Sequence, residues 1–273
     1  LCLAYLAPTA APSSLRPRFI GGFTLLAFAT IALLGRPDPT PALNVRALAL
    51  ARTALPAATA EAMALLRESL AFNPDQEIAH FNLGWLLLIA DPAAAERAFD
   101  DALHLVPDKG GVYFGLGLAR LNQNRPAAAA RAFALECLND PAFLSSPWWR
   151  EPAVAAVLPN TRAEFAHLAS LAATALEKRP HSAWAAAQLP RVAALAPRLG
   201  ALPADPERSY RRERTAYPVL VRNLDLPPPL DLYDVREFLS PSLSASPLPL
   251  KSWLPNSLLL ELLDAPTAPP MRH

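Results

Sequence analysis

Two stretches of the chain share one order of apolar, small and polar positions: FNLGWLLLIADPAAAERAFDDALHLVP at 81–107 and FGLGLARLNQNRPAAAARAFALECLNDP at 114–141. Leu83 and Gly84 lie 33 residues before Leu116 and Gly117, whereas Ala95, Phe99 and Pro107 lie 34 before Ala129, Phe133 and Pro141, so one turn is a residue shorter than the other. Apolar residues at helical spacing on both sides of a short polar break predict a hairpin of two helices. The glycine and alanines let the helices approach, the large apolar side chains fill the space between hairpins, and proline ends the second helix. An earlier, degenerate copy runs back from Pro74, 33 residues before Pro107, with Ala62 and Leu66 in ARTALPAATAEAMALLRESLAFNP and a first helix in PALNVRALALARTAL. Three hairpins, about residues 42–141, meet the minimum for a stable stack.

The pattern W-x2-L-G-x2-Y…A-x3-F…P at a period of 34 is the tetratricopeptide signature, and this region resembles it. In the second copy Tyr113 takes the aromatic position and Ala129, Phe133 and Pro141 complete the motif, with Arg120 in place of the tyrosine. The first copy has His80 for the aromatic and Leu87 for the tyrosine. The resemblance implies an all-α fold, a solenoid of helical hairpins that binds a protein or peptide partner. In stacked hairpins the first helices line the concave face, and Phe81 and Trp85 correspond to Phe114 and Leu118 in the next copy. Residues four apart share a helix face, so these four predict one apolar strip across neighbouring repeats, a groove for an apolar or amphipathic segment. The chain's own proline-rich tail is a candidate ligand. The alternative, that Trp85 and Phe114 are hairpin core, carries equal weight.

Beyond the repeats, residues 142–200 predict further helices that cap the solenoid. Thr161 and Glu164 read as a capping box ahead of a helix with Phe165, Leu168, Ala172 and Leu176 on one face. A second helix begins at Ser182 and is kinked or interrupted at Pro190. The link AFLSSPWWREP sets Trp148 and Trp149 beside Arg150, for packing onto the last hairpin or for anchoring at a membrane interface. From residue 201 the helical period stops and prolines gather, 13 of the chain's 31, which predicts a mostly extended tail over 201–273. Arg211, Arg212, Arg214 and Arg222 stand there among Tyr210 and Tyr217. They read either as an anion-binding strip for phosphate or acidic sugar, or as a solvated arm balanced by Glu207, Glu213 and Asp225.

Residues 19–35, FIGGFTLLAFATIALLG, carry no charge and are bracketed by Arg18 and Arg36, which predicts a transmembrane helix. A cleaved signal core or a buried helix is the competing reading. LCLAYLAP at 1–8 reads as the end of a preceding apolar helix, and an opening Leu1 in place of Met suggests that the gene product begins further upstream. Arg16 and Arg18 hold the link before residue 19 in the cytoplasm, which sends residues 42–273 across the membrane; Arg36 and Arg46 partly oppose that orientation.

A hydrophobic share of 52% and a mean hydropathy of +0.18 agree with a membrane segment. A net charge of +1 gives no polyelectrolyte signature, so no nucleic acid is expected. Cys2 and Cys137 suggest neither a disulfide framework nor a metal cluster, and Cys137 reads as a small core residue. His80, His104, His167 and His181 lack metal spacing, and there is no phosphate-cradling glycine loop and no G-x-S-x-G. No catalytic residue, metal site or cofactor is therefore assigned.

The whole order, an apolar end, one spanning helix, tetratricopeptide hairpins and the Tyr-Arg-Arg and Asn-Leu-Asp-Leu-Pro-Pro-Pro tail, resembles the C-terminal part of bacterial O-antigen ligase and polymerase-like membrane proteins. That resemblance implies transfer of a lipid-linked glycan at the outer face of the inner membrane, with the repeats on the periplasmic side. It places the catalytic residues in loops between earlier spanning helices, so no residue here inherits a catalytic role. The alternative is a stand-alone membrane-anchored scaffold without enzymatic activity.

Overall fold

Proline marks both ends of the second helix in each predicted hairpin. Pro56, Pro92 and Pro126 each begin one, where a missing N–H costs nothing and the fixed φ suits the first turn. Pro74, Pro107 and Pro141 follow its last residue by two, where the helix cannot continue. A computed structural model describes residues 38–53, 55–200 and 253–268, and these are all-helical with no strand among them. The chain divides into two units, Leu1–Pro39 and Thr40–His273, and every helix below belongs to the second.

Six helices form three pairs: α1 (Thr40–Ala51) with α2 (Pro56–Phe72), α3 (Glu77–Leu87) with α4 (Pro92–Leu105), and α5 (Val112–Asn122) with α6 (Pro126–Asn139). Each second helix also packs on the first helix of the next pair. The shorter turn is the second one, three residues at 123–125 against four at 88–91, and α5 runs further past Gly117 than α3 does past Gly84. Ala62 and Leu66 of the degenerate copy are buried as expected.

Two short 3-10 turns, Pro141–Ser145 and Pro147–Arg150, lead into α7 (Pro152–Ala156) and α8 (Leu158–Glu177), which packs on α6. Phe165, Leu168, Ala172 and Leu176 line its buried face as the periodicity indicates. The capping box is corrected: Thr161 lies inside α8, where its hydroxyl donates to the Val157 carbonyl at 3.0 Å, and Glu164 is engaged elsewhere. Pro159 starts the helix earlier, and a buried arginine on α6 claims the glutamate. α9 (Ala183–Ala193) begins after Ser182 and carries Pro190 within it.

The extended tail is also corrected for the part that is described. Residues 256–264 form α10 (Asn256–Asp264), because Leu258, Leu259 and Leu262 recur at helical spacing and bury one face. α10 packs against α6 and α8. One apolar core runs from Ala47 on α1 to Leu262 on α10. The segments at 1–8 and 19–35 and the four tail arginines lie outside the described residues. Among the described residues no helix is long and apolar enough to cross a membrane.

The repeated glycines have a shared packing duty. A Cβ on Gly84 would meet the Phe99 ring at 2.8 Å, and one on Gly117 would meet the Phe133 ring at 2.4 Å. Both rings are fully buried and have nowhere to retreat. Gly117→Ala is therefore expected to destabilise by about 1–3 kcal/mol despite the better helix propensity of alanine. A lowered urea midpoint with an unchanged slope checks this.

Candidate functional site

Phe81 and Trp85 lie on α3 and Phe114 and Leu118 on α5, and the aromatic rings of the two sets are linked through Trp148. Phe81 meets Trp85 edge-on at 6.0 Å between ring centroids, Trp85 meets Phe99 of α4 at 5.3 Å, and Phe114 meets Phe133 of α6 at 4.7 Å. The strip is not open, however. The link at 141–150 folds back over it, placing Phe143 at 5.2 Å and Trp149 at 5.9 Å from Phe114. Trp148 bridges the two pairs, 5.5 Å from Phe114 and 6.3 Å from Trp85. Phe81, Phe114 and Leu118 are buried and Trp85 half-buried.

The link is held by its own bonds. The Trp149 indole N–H donates to the Phe143 carbonyl at 2.7 Å, the Ser146 hydroxyl accepts from the Trp148 amide at 3.3 Å, and the Gly200 amide donates to the Leu144 carbonyl at 2.8 Å. Packing onto the last hairpin, rather than an exposed anchor, is the observed place of both tryptophans. The indole N–H groups of Trp85 and Trp148 are buried without a hydrogen-bond partner, a cost that the apolar contacts of the cluster must offset. What remains open beside the strip is a cleft of about 430 Å³, lined by Ile89, Leu118, Leu121 and Val154 among others.

Two acidic groups that the sequence reading passed over organise the neighbouring helices. Glu136 on α6 is fully buried at the start of α5, where its carboxyl oxygens accept from the Gly111 amide at 2.9 Å and the Phe114 amide at 3.0 Å. It does the work of a cap that Gly111, in the left-handed region at φ 85°, has no side chain to do. Burial pushes its carboxyl up to about 8, against the lowering effect of those bonds. Glu96 on α4 accepts from Arg120 of α5 at 2.9 Å and Gln123 at 2.8 Å, and pairs with Arg125 at 2.7 Å. Burial raises its carboxyl, but these bonds and the two arginine charges outweigh it and hold the group below its ordinary range. Cys137 is buried as expected, and burial raises its thiol well above the usual value.

A second surface is already occupied. Residues 253–268 lie on α6 and α8, the Trp253 indole donating to the Leu138 carbonyl at 2.6 Å. Arg131 on α6 reaches Glu164 on α8 through Nε and Nη2, both at 3.1 Å. The same guanidinium donates to the carbonyls of Leu262, Ala265 and Pro266 at the end of α10. Glu164 in turn accepts from the Ala268 amide at 2.8 Å. The signal that would have found this segment is the leucine triplet after Pro255; the pairing of two helix-embedded charges has no local signature.

His80, His104 and His167 each bond a main-chain carbonyl, of Pro74, Asp100 and Pro266 respectively. Among the described residues no three metal-ligating side chains gather. No family model, curated protein or solved structure matches this chain.

Proposed function

We propose that the chain is a membrane-anchored interaction module of the tetratricopeptide type, the C-terminal part of an O-antigen ligase-like protein that transfers a lipid-linked glycan at the outer face of the bacterial inner membrane. The observation that carries the repeat reading is the recurrence of one contact: Gly84 against Phe99 and Gly117 against Phe133, in consecutive helix pairs, with Ala95 and Ala129 buried at matching positions. The uncharged run at 19–35 between Arg18 and Arg36 supports the anchor, and Arg16 and Arg18 support a cytoplasmic link before it. With the aromatic strip covered, the partner surface left to the repeats is the cleft at Ile89 and Leu121. Arg211, Arg212, Arg214 and Arg222 would meet the phosphate or acidic sugar of the glycan lipid.

Alkaline phosphatase fused after Pro141 in a bacterial host tests the placement. Activity is the expected result. An inactive fusion, with a cytoplasmic reporter working at the same point, would reverse the orientation and remove the glycan-transfer reading with it. Further apolar spans encoded in frame upstream of Leu1 would support the ligase parent, whereas a start codon directly before Leu1 would leave a stand-alone scaffold.

A further inference from the structure

We infer that the trough between α6 and α8 is a peptide-recognition site for a short leucine-faced helix ended by a proline turn, and that residues 253–268 are its built-in ligand. This is independent of the membrane placement proposed above.

The segment has the form of a ligand. Its helix is flanked by Pro255 and Pro266, and 52 residues of chain separate the segment from Gly200. Its anchors are Trp253 and the leucines at 258, 259 and 262, all buried. Amphipathic helices that lie in apolar grooves present anchors at such spacings. The main chain is read as well: the last carbonyls of a helix have no partner within it and carry its negative end, and Arg131 collects three carbonyls there. Glu164 holds the amide of Ala268 just beyond. Charge is complementary at the rim, where Arg179 of the trough pairs with Glu261 of the segment.

The buried charges of the receptor side are paired without the segment. α6 packs directly on α8, and Arg131 and Glu164 pair with one another across them. Removing the ligand thus leaves no lone buried charge, which is the usual penalty for taking one partner from a buried ion pair. An ion pair at the floor of an apolar trough adds little to stability but selects a ligand whose backbone turns at that point.

The test uses the full chain in detergent with its own segment released by Trp253→Ala, Leu259→Ala and Leu262→Ala together. A fluorescein-labelled synthetic peptide of residues 253–268 is titrated and followed by anisotropy. The released chain is expected to keep its helical circular dichroism and bind the peptide saturably, while the wild-type chain, whose site is filled, binds roughly tenfold more weakly or worse. A peptide ending at Asp264, lacking the turn read by Arg131 and Glu164, is expected to lose about tenfold in affinity, as is Arg131→Ala with the full peptide. Arg179→Ala, at the exposed rim, is expected to change affinity by no more than about fivefold. Loss of cooperative unfolding in the released chain would make the segment plain core and overturn the inference. A released chain that folds without binding, or that binds the two peptides equally, would overturn it as well.

Discussion

Phe114→Ala is expected to lower the free energy of unfolding by about 3–5 kcal/mol, the range for emptying a core aromatic site. Its ring touches four others, Phe133, Phe143, Trp148 and Trp149, with centroids 4.7 to 5.9 Å away. It is fully buried, so the cavity would open between α5, α6 and the link together. Trp85→Ala is expected to cost less, because Trp85 is half-buried and its indole N–H has no partner to lose. Urea denaturation of the two variants gives the comparison. Near-wild-type stability of Phe114→Ala would mean that the strip lies open and that the link does not fill it.

Glu136→Ala is expected to cost about 2–6 kcal/mol at about pH 5, since it strips two buried amides of their acceptor at about 1–3 kcal/mol each. The penalty depends on pH in a definite direction. The carboxyl is raised to about 8 in the folded chain against an ordinary 4.5, so the folded state keeps a proton that the unfolded state releases. Wild-type stability therefore falls as pH rises from about 4.5 to about 8 on account of this group, and is level above. Alanine removes that slope, so its penalty shrinks as pH rises through this window. Glu96 has the opposite sign: its carboxyl is lowered, and the stability it contributes is present above its ordinary pKa and lost as pH falls through the folded value. Thermal unfolding of Glu136→Ala and wild type across this range checks it, and a penalty that grows toward pH 8 would contradict it.

The helix pairs were legible because their signal is local. Gly84 with Phe99 and Gly117 with Phe133 each lie on the two helices of one hairpin, and the small-against-large contact they make is written at nearly the same spacing, 15 residues in one copy and 16 in the next. The buried face of α8 was legible for the same reason, a single helical period from Phe165 to Leu176. Its start was misplaced because Thr161 and Glu164 fit a capping box as well as they fit an interior turn. What separates the two is Arg131, 33 residues earlier and on another helix.

The strip residues were found, but not their state. Whether Phe81 and Phe114 face a partner or their own chain depends on where the link at 141–150 turns, and helical periodicity carries no information about that. α10 was hidden by composition: prolines on both sides of 256–264 give the tail an extended average, while the leucines within it need α6 and α8 to bury against. The caps were hidden as well, because Glu136 serves the start of a helix that begins 24 residues before it.

The most direct measurement of the central point, that the chain fills its own aromatic strip, is native-state hydrogen exchange of the full chain in detergent, resolved over residues 141–150. The amides of Phe143, Ser146 and Trp149 bond to the carbonyls of Asp140, Phe143 and Ser146 beneath the packed tryptophans. They are expected to exchange with the same protection as the amides of α5 and α6, since the link and the helices would open together. Exchange of the link at the rate of a free peptide, with α5 and α6 still protected, would show a strip left open for another occupant and would contradict the account.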